Sequence, residues 1–328
     1  MLKKITMFIC VGLLMFSLIQ CGSGNQSEKP VLKVAMLTWI GYGPIMLAKD
    51  KGFFEGIEVQ IELIEDTAAR RAAFTSGKVD ASTDIVDSFT NLLAAGAKAS
   101  AVLKLDDSMG GDGIVVKSDI QSITDLKGRT VAYPPGQPSH FFLLALFEDA
   151  GMTMADIETR EMEPDQAGSA FISGSVDAAV TWEPWLTKAA NMQDGKVLMS
   201  SRDKPGLIAD IFTVRNAYLE ANPEVVEAFI KGWFKAVEYW KANPKESNLI
   251  MANALKIDPK EFETMLAGVA YSDMATNKAF FQKGPDGESD FTRLVTKATR
   301  IWKQEGLIKN DVDTHAADGS EILMKLVQ

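Results

Sequence analysis

A nine-residue segment occurs twice in this chain and constrains the fold more than any other feature. Ala73–Ala81 (AFTSGKVDA) returns as Ala170–Ala178 (AFISGSVDA), 97 positions later, with seven of the nine positions identical. The same offset relates Val34-Ala35 to Val131-Ala132. One strand–helix–helix–strand plan is therefore predicted to occur twice, as two similar lobes. Such a pair of lobes favours a ligand held between them over catalysis.

The first twenty residues are predicted to be a secretory signal. The basic pair Lys3-Lys4 precedes Ile5–Ile19, which is almost wholly apolar but too short to favour a permanent membrane span. The signal ends in LIQCG, which resembles the lipobox of bacterial lipoproteins, with Cys21 as the lipidated residue and Gln20 departing from the commonest pattern. The alternative is an ordinary signal with a chance cysteine. Gly22–Pro30 (GSGNQSEKP) is predicted to be a flexible tether, and the anchor would hold the protein at a membrane surface.

Composition argues against several classes of function. Of the two cysteines, Cys10 lies in the signal and Cys21 would carry lipid, so neither disulfide nor thiol chemistry is expected. His140 and His315 have no companion at metal-ligand spacing, so no metal and no cofactor are predicted. The chain has 34 basic and 44 acidic residues without a basic stripe, so nucleic acid is not an expected partner.

Alternating strands and helices predict an α/β fold, with a mostly parallel sheet flanked by helices in each lobe. The elements predicted for lobe 1 are strands Leu32–Leu37, Glu58–Leu63 and Val79–Thr83 and helices Pro44–Lys51 and Thr67–Ser76. Those predicted for lobe 2 are strands Thr130–Tyr133 and Val176–Val180 and helices Ser139–Ala150 and Gly168–Ser173. Gly77 and Gly174 follow helices, where glycine adopts a left-handed conformation without a Cβ penalty.

Two short apolar runs, Ile114–Lys117 and Ile211–Val214, are predicted to cross between the lobes. They assign residues 31–113 and 215–328 to lobe 1 and residues 114–214 to lobe 2. From Asn222-Pro223, an N-cap and N1 pair, the pattern becomes helical. The C-terminal helices are predicted at Val225–Ala242, Ser247–Leu255, Pro259–Val269 and Asp290–Glu305. This block is expected to pack on lobe 1, with its final helices contacting both lobes.

Ligands of open α/β sheets bind beyond the carboxyl ends of the strands, and this rule selects the candidate ligand-binding residues. They are Trp39, Tyr42, Gly43, Asp84, Asp87, Asp107, Ser139, His140, Trp182 and Glu183. The sequence leaves two roles open for Trp39, a ligand contact or a partly buried aromatic residue of the loop. It also leaves two for Ser139, an N-cap of its helix or a hydrogen-bond donor to the ligand. Glu183 lies between two tryptophans in sequence, and two roles are open for it as well. It is either a surface carboxylate with no ligand, or a ligand contact that binds a cation or an N–H donor.

Other acidic residues are given structural roles. Asp80 and Asp177, inside the repeat, are expected to hold turns through hydrogen bonds to the backbone. Asp106–Gly113 is predicted to be a hinge-side loop with one ligand contact, because its spacing fails the EF-hand pattern and its glycines permit movement. The chain has no Gly-x-Ser-x-Gly elbow, no P-loop and no nameable nucleophile–base pair, so an enzyme is not predicted.

Four short motifs, taken together and in order, point to a known protein family. They are Gly43-Pro44 with Ala48-x-x-x-Gly52-Phe53-Phe54, then Asp112–Lys117, Asp125–Ala132, and Phe171–Ala178 with Trp182-Glu183-Pro184. In this order they resemble the substrate-binding proteins of bacterial ABC importers that serve nitrate, taurine, alkanesulfonates and thiamine-pyrimidine precursors. The resemblance covers roughly Val31–Phe281.

The resemblance implies a type II periplasmic-binding fold with two hinge crossings, in an extracytoplasmic monomer that closes over a small solute. It also implies a membrane permease and an ATPase as partners. Because the candidate site is rich in aromatic and carboxylate groups, we expect a small nitrogen-containing solute, such as a pyrimidine precursor or a taurine-like zwitterion. The alternatives are an enzyme on the same fold, of the pyrimidine-precursor synthase type, and a surface lipoprotein with no transport role.

Overall fold

The computed structural model describes residues 29–327, which contain eleven strands and fourteen α-helices. The strands are β1 Val31–Met36, β2 Glu58–Leu63, β3 Ala81–Ile85, β4 Ala99–Ser108, β5 Asp112–Lys117, β6 Thr130–Tyr133, β7 Glu158–Glu161, β8 Ala178–Trp182, β9 Gly195–Ser200, β10 Ala209–Arg215 and β11 Val269–Tyr271. The helices are α1 Gly43–Asp50, α2 Thr67–Thr75, α3 Val86–Ala94, α4 Pro138–Ala150, α5 Pro164–Ile172, α6 Trp185–Ala190, α7 Asn216–Ala221, α8 Pro223–Ala242, α9 Pro244–Leu255, α10 Pro259–Met265, α11 Met274–Phe281, α12 Asp290–Gln304, α13 Thr314–Ala317 and α14 Glu321–Leu326. The predicted signal, Cys21 and most of the predicted tether lie outside the described residues.

Two mixed sheets divide the chain into two lobes. The strand order is β11-β4-β10-β3-β1-β2 in the first sheet and β7-β6-β8-β5-β9 in the second. β1 is parallel to β2 and β3, and β6 is parallel to β7 and β8, whereas β10 and β5 run antiparallel to their neighbours. We therefore define the first lobe as residues 31–108 and 209–327, and the second lobe as residues 112–200.

The sequence repeat corresponds to equivalent elements of the two lobes. Helices α2 and α5 are 97 positions apart, as are Ala81 and Ala178, the first residues of β3 and β8. Gly77 and Gly174 follow these helices with φ of 79° and 75°, as the sequence predicts. The short helix-to-strand connection needs this left-handed conformation, which explains why both copies contain glycine.

Asp80 and Asp177 have the same structural role in the two lobes, as the sequence predicts, although their side chains bond to another strand and not to the turn. Asp80 accepts a hydrogen bond from the Lys33 N–H in β1 (3.1 Å) and pairs with Arg215 (3.0 Å). Asp177 accepts one from the Thr130 N–H in β6 (3.0 Å) and pairs with a lysine of β5 (2.6 Å). Each carboxylate thus ties the end of the repeat to another strand of its own lobe, β1 for Asp80 and β6 for Asp177.

The two crossings do not lie in the apolar runs predicted for them. Ile114–Lys117 belongs to β5 and Ile211–Val214 to β10, and both strands are internal to their sheets. The chain crosses at residues 109–111 and returns at residues 201–208. Internal strands covered on both faces are short and apolar, which is also what a buried crossing would look like in sequence. The sheet boundaries therefore differ from the predicted lobe boundaries at 114 and 214.

The prediction also omits β4, which lies between β10 and β11 in the first sheet. Asp106 and Asp107 end this strand instead of lying in a loop. Only residues 109–111 remain of the predicted hinge-side loop, and among them Gly110 has a φ of 115°. The acidic residues are therefore held by sheet hydrogen bonds, in fixed positions at the first crossing.

Helix α12 connects the two lobes. Trp302 packs against Phe141 of α4, with ring centroids 5.6 Å apart, and its Nε1 donates to the Asp87 carbonyl oxygen in α3 at 3.0 Å. Arg300 forms two hydrogen bonds with Glu148 of α4. The predicted contact of the C-terminal helices with both lobes is confirmed.

Candidate ligand-binding site

Residues at the ends of β1, β3 and β8 meet at a small cavity between the lobes. Its walls are formed by Leu37, Trp39, Tyr42, Ile85, Asp112, Trp182, Ile208 and Asp210. The cavity volume is about 30 Å³. That volume holds little more than a water molecule, whereas pockets for small molecules measure roughly 300–1,000 Å³. A solute can therefore occupy this position only if the lobes separate.

Three predicted site residues, Trp39, Tyr42 and Trp182, line this cavity. Trp39 and Tyr42 belong to the turn between β1 and α1 and are 8% and 1% exposed. Trp39 Nε1 donates to Asp106 Oδ1 at 3.3 Å, and the Tyr42 hydroxyl donates to Asp210 Oδ1 at 2.5 Å. Trp39 is thus both a buried aromatic and a wall of the cavity, so the two alternatives from sequence coincide.

Asp106 and Asp210 are buried beside these aromatic rings. Burial raises the pKa of both carboxyls well above the usual range. The hydrogen bond from Trp39 opposes the rise in the pKa of Asp106, whereas the charge of Asp106 adds to the rise in the pKa of Asp210. Among the residues that the structure describes, none donates a hydrogen bond to Asp106 Oδ2.

Asp107 is paired with a buried lysine beside the cavity and does not line it. Lys104 Nζ lies 2.7 Å from Asp107 Oδ2 and 4.5 Å from the centre of the Phe280 ring. Asn277 accepts a hydrogen bond from the Lys104 N–H and donates one to its carbonyl oxygen. These contacts fix Lys104 in a position where Asp107 already neutralises its charge.

In the second lobe, Asp112 of β5 lies directly opposite Trp182 of β8, and both line the cavity. The Ser108 hydroxyl donates to Asp112 Oδ2 at 2.7 Å and lies 2.8 Å from the hydroxyl of Ser201. Burial raises the pKa of Asp112 to about 7; the Ser108 hydrogen bond opposes this rise and the charge of Glu183 adds to it. Asp112 was not among the predicted ligand-binding residues.

Asp84 and Asp87 lie where β3 ends and α3 begins. Asp87 is 1% exposed, and burial together with the charge of Asp84 raises its pKa to about 8, against the opposing effect of Arg71. The charge of Asp112, in the other lobe, contributes to the same rise. Within residues 29–327, Asp87 Oδ1 has no hydrogen-bonding partner. These predicted site residues therefore lie close to the cavity, although they are not part of its wall.

Ser139 and Gly43 lie outside the cavity wall. Ser139 is the second residue of α4, whose N-cap is Gln137, and its hydroxyl has no hydrogen-bonding partner in the described part of the chain. The capping role considered for Ser139 is therefore wrong. A Cβ at Gly43 would lie 2.8 Å from Met251 Sδ, so this glycine allows α1 to approach α9 closely.

His140 is buried between two aromatic rings, away from the small cavity. Its ring centroid lies 4.6 Å from that of Tyr133 and 5.5 Å from that of Trp302. Burial lowers the pKa of His140 to about 4. Its Nδ1 accepts a hydrogen bond from the Gly136 N–H at 3.1 Å, so the neutral ring carries its proton on Nε2.

Glu183 is held within its own lobe. It accepts hydrogen bonds from the N–H (3.1 Å) and the hydroxyl (2.6 Å) of Thr187 in α6. Its charge contributes to the raised pKa of Asp112, which places it near the cavity although it does not line the wall. A ligand would have to displace Thr187 to engage both of its oxygens.

A larger groove of about 830 Å³ opens between the lobes. Its lining includes the acidic residues Glu65, Asp66, Glu163 and Asp165 and the basic residue Arg71. Asn91 of α3 donates to the Gly136 carbonyl oxygen across this groove at 3.4 Å. Because Arg71 also opposes the raised pKa of Asp87, the groove borders the carboxylates at the start of α3.

Sequence reasoning missed Asp106, Asp112 and Asp210 as site residues. A signal existed, since Asp210 interrupts the apolar run Leu207–Val214 and Asp106 ends the run Ala101–Leu105. Acidic residues are almost never fully buried without a partner, so an acid at the end of a buried strand indicates a special environment.

Within residues 29–327, no group of three or more His, Cys, Asp or Glu side chains is arranged to hold a metal ion. None of the helices described there is both long and apolar enough to cross a membrane.

Known proteins share this architecture and sequence pattern. The family model described as NMT1/THI5 like matches residues 39–247. A putative aliphatic sulfonates-binding protein of Bacillus subtilis (strain 168) is 28% identical over 262 residues, covering 76% of this chain and 79% of the relative. The taurine-binding periplasmic protein of Escherichia coli (strain K12) is 33% identical over 138 residues, covering 40% of this chain and 42% of the relative.

The crystal structure of the periplasmic aliphatic sulphonate binding protein of Escherichia coli superimposes with a TM-score of 0.75 at 19% identity, covering 90% of this chain and 99% of that one. The fold is therefore the predicted α/β two-lobe periplasmic-binding-protein fold, but its two sheets, flanked by helices, are mixed and not mostly parallel, because β10 and β5 run antiparallel to both of their neighbours. Because the family model spans more than half of the residues, the chain belongs to the NMT1/THI5-like family.

Proposed function

We propose that this protein is the solute-binding component of an ABC importer, which captures a small nitrogen-containing or sulfonate-type solute between its lobes. It works outside the cytoplasm, held at a membrane by lipid on Cys21, and delivers the solute to a permease and its ATPase. The observation that carries the proposal is the cavity between the lobes, walled by Trp39, Tyr42 and Trp182. Aromatic walls with a few polar groups are typical of small-molecule sites.

The crossings provide a hinge beside this cavity. The Ser201 hydroxyl, on the return crossing, accepts a hydrogen bond from the Gly110 N–H at 2.7 Å and lies 2.8 Å from the Ser108 hydroxyl. A Cβ at Gly111 would lie 2.7 Å from Trp39 Cη2, so Trp39 packs directly against the first crossing. A solute that moves Trp39 would thereby act on the segment about which the lobes rotate.

The relatives support a small solute as the ligand. The Bacillus subtilis relative is named for aliphatic sulfonates and the Escherichia coli relative for taurine. The cavity of this chain adds Asp112 and Asp210 to its aromatic walls, and these carboxyls favour a nitrogen-containing ligand over a sulfonate. The lipid anchor and the extracytoplasmic location are proposed from the sequence pattern of residues 1–30. The permease is proposed from the family to which the chain belongs.

The test is calorimetry on the body of the chain from residue 29, titrated with amines, aminopyrimidines, taurine, alkanesulfonates and nitrate. Small-angle scattering should show a changed radius of gyration with the ligand that binds. Trp39→Ala should weaken binding by about 1–3 kcal/mol, as for other buried anchor residues. Trp185→Ala is the matched control, because Trp185 packs on Gly168 within the second lobe.

The two alternatives predict other results. Recovery of a chemically altered solute after incubation would indicate an enzyme, and recovery of the unchanged solute a binding protein. If no solute of any class binds or changes the radius of gyration, solute capture is excluded and a surface lipoprotein with no transport role becomes the better explanation.

A further inference from the structure

Carboxyl groups surround the small cavity on both sides. Asp210 and Asp112 line it from the first and second lobes, and Asp106, Asp87 and Glu183 lie close behind them. No lysine or arginine of the described chain is part of the cavity wall. An anionic solute would therefore be buried among carboxyl groups without a compensating cation in the wall, which is costly at a buried site.

Two basic side chains near the cavity, Lys104 and Arg70, are already paired, and a third, Arg71, lines the outer groove and donates to the Ser88 carbonyl oxygen at 3.4 Å. Lys104 is paired with Asp107 at 2.7 Å. Arg70 donates to the carbonyl oxygens of Ile64 and Glu65, at 2.9 and 3.3 Å. Engaging a sulfonate or nitrate would require breaking these contacts and moving a basic group past the carboxyls. The arrangement therefore does not provide the donors that a strong anion needs.

Buried carboxyl oxygens lack partners at the same place. Asp106 and Asp87 are 0% and 1% exposed, and Oδ2 of Asp106 and Oδ1 of Asp87 accept no hydrogen bond from the described residues. Leaving a buried acceptor without a hydrogen bond is costly, and more so when the group is charged. A ligand with N–H donors would satisfy these oxygens.

Resting on the proposed function, we propose that the solute is an organic cation with N–H donors, such as a protonated amine, amidine or guanidine. Asp112 and Asp210 would release their protons as the cation binds and then neutralise its charge, while its apolar part would pack against Trp39 and Trp182. The acidic lining of the outer groove would raise the local concentration of cations during entry.

The experiment compares probes of similar size and different charge by calorimetry at pH 7.5 and low salt. The cations are butylamine, 1,4-diaminobutane and guanidine, the anions are propanesulfonate and nitrate, and taurine is the zwitterion. We expect saturable heat with at least one cation, weakened by added salt, and none with either anion. Taurine should bind more weakly than the best cation, because its sulfonate faces the same carboxyls.

The variants Asp112→Asn and Asp210→Asn should each weaken cation binding about 10- to 100-fold, which corresponds to a charge-assisted hydrogen bond. Their thermal unfolding midpoints must not fall, which separates loss of charge from loss of fold. Asp119→Asn is the control, because Asp119 lies beyond the far end of β5, paired with Arg129 on the surface.

Saturable binding of propanesulfonate or nitrate would overturn the inference while leaving the proposed function intact. Saturable binding of taurine together with no heat from any cation at millimolar concentration would overturn it as well. Failure of all probes of all charges to bind or to close the lobes would instead count against solute capture itself, so the two failures are distinguishable.

Discussion

Asp106 of β4 and Asp210 of β10 lie directly opposite each other in the first sheet, and both are almost completely buried. Like charges directly opposite on antiparallel strands destabilise the sheet. Trp39 and Tyr42 donate one hydrogen bond to each carboxyl, and burial raises the pKa of both, so the protein retains protons here. The pair is thus an electrostatic cost of folding that grows as the pH rises above the usual carboxyl pKa.

Removing one charge of this pair should stabilise the ligand-free protein. Asn is nearly isosteric with Asp and keeps an oxygen to accept from Trp39 or Tyr42. We expect Asp106→Asn and Asp210→Asn to raise the free energy of unfolding, with a larger gain at pH 9 than at pH 6, because ionisation of the wild-type carboxyls increases with pH. Urea denaturation at both pH values measures the gain. Equal gains at the two pH values would show that the charge is not the cause.

The stability of the ligand-free protein should fall between pH 6.5 and pH 8. Asp87 and Asp112 keep their protons to about pH 8 and about pH 7 in the folded protein, whereas an unfolded carboxyl ionises near pH 4. The folded state therefore binds more protons, and the stability from the protonated forms is lost as the pH rises through the folded pKa values. Asp87 and Asp112 together should contribute a slope of about 1 kcal/mol per pH unit, and Asp106 and Asp210 should make the decline steeper.

The pH window for this measurement is set by His140. Its pKa is lowered to about 4, so it makes the protein more stable as the pH rises from about 4 to 6.5, and contributes no slope above that. Urea denaturation at constant ionic strength from pH 6.5 to pH 8 isolates the carboxyls. Asp87→Asn should reduce the slope, and a wild-type stability that rises across this window would contradict the assignment.

Gly41 should tolerate no side chain. A Cβ there would lie 2.1 Å from Asp106 Oδ2 and 2.4 Å from Trp39 Nε1. Gly41→Ala must therefore displace both groups, and we expect a loss of stability of about 1–3 kcal/mol, as for overpacked cores, together with weaker solute binding. Gly284→Ala is the control, since the nearest atom to its Cβ is 3.2 Å away in an exposed loop. Chemical denaturation and calorimetry on both variants give the comparison.

Asp80 and Asp177 should affect stability without affecting binding. Each carboxyl accepts a backbone hydrogen bond and pairs with a basic side chain in its own lobe. Asp80→Ala and Asp177→Ala should each lower the free energy of unfolding by about 1–2 kcal/mol. Because the two sites lie in different lobes, the double variant should show the sum of the two losses. A change in solute affinity in either variant would contradict a purely structural role.

Much of the fold could be predicted from local patterns. Gly77 and Gly174 mark corresponding turns because only glycine adopts the left-handed conformation there without strain. The helix starting at Pro223 could be located because proline is tolerated at the first helical position. The prediction was wrong for two apolar runs, which it treated as crossings although they belong to internal strands: Ile114–Lys117 in β5 and Ile211–Val214 in β10. Apolar periodicity indicates that a segment is buried, but not to which sheet a strand belongs.

The sequence by itself determined the two-lobe α/β plan, the paired structural carboxylates and the aromatic residues Trp39, Tyr42 and Trp182, since each depends on neighbours close in the chain or on the repeat. Only the tertiary structure brought Asp112 and Asp210 to the wall of one cavity, with Asp106 close behind it. These residues come from three strands in two sheets, and their environment depends on strand register and burial. Long-range strand pairing leaves no local trace in sequence, so the charge of the site was decided by the folded protein.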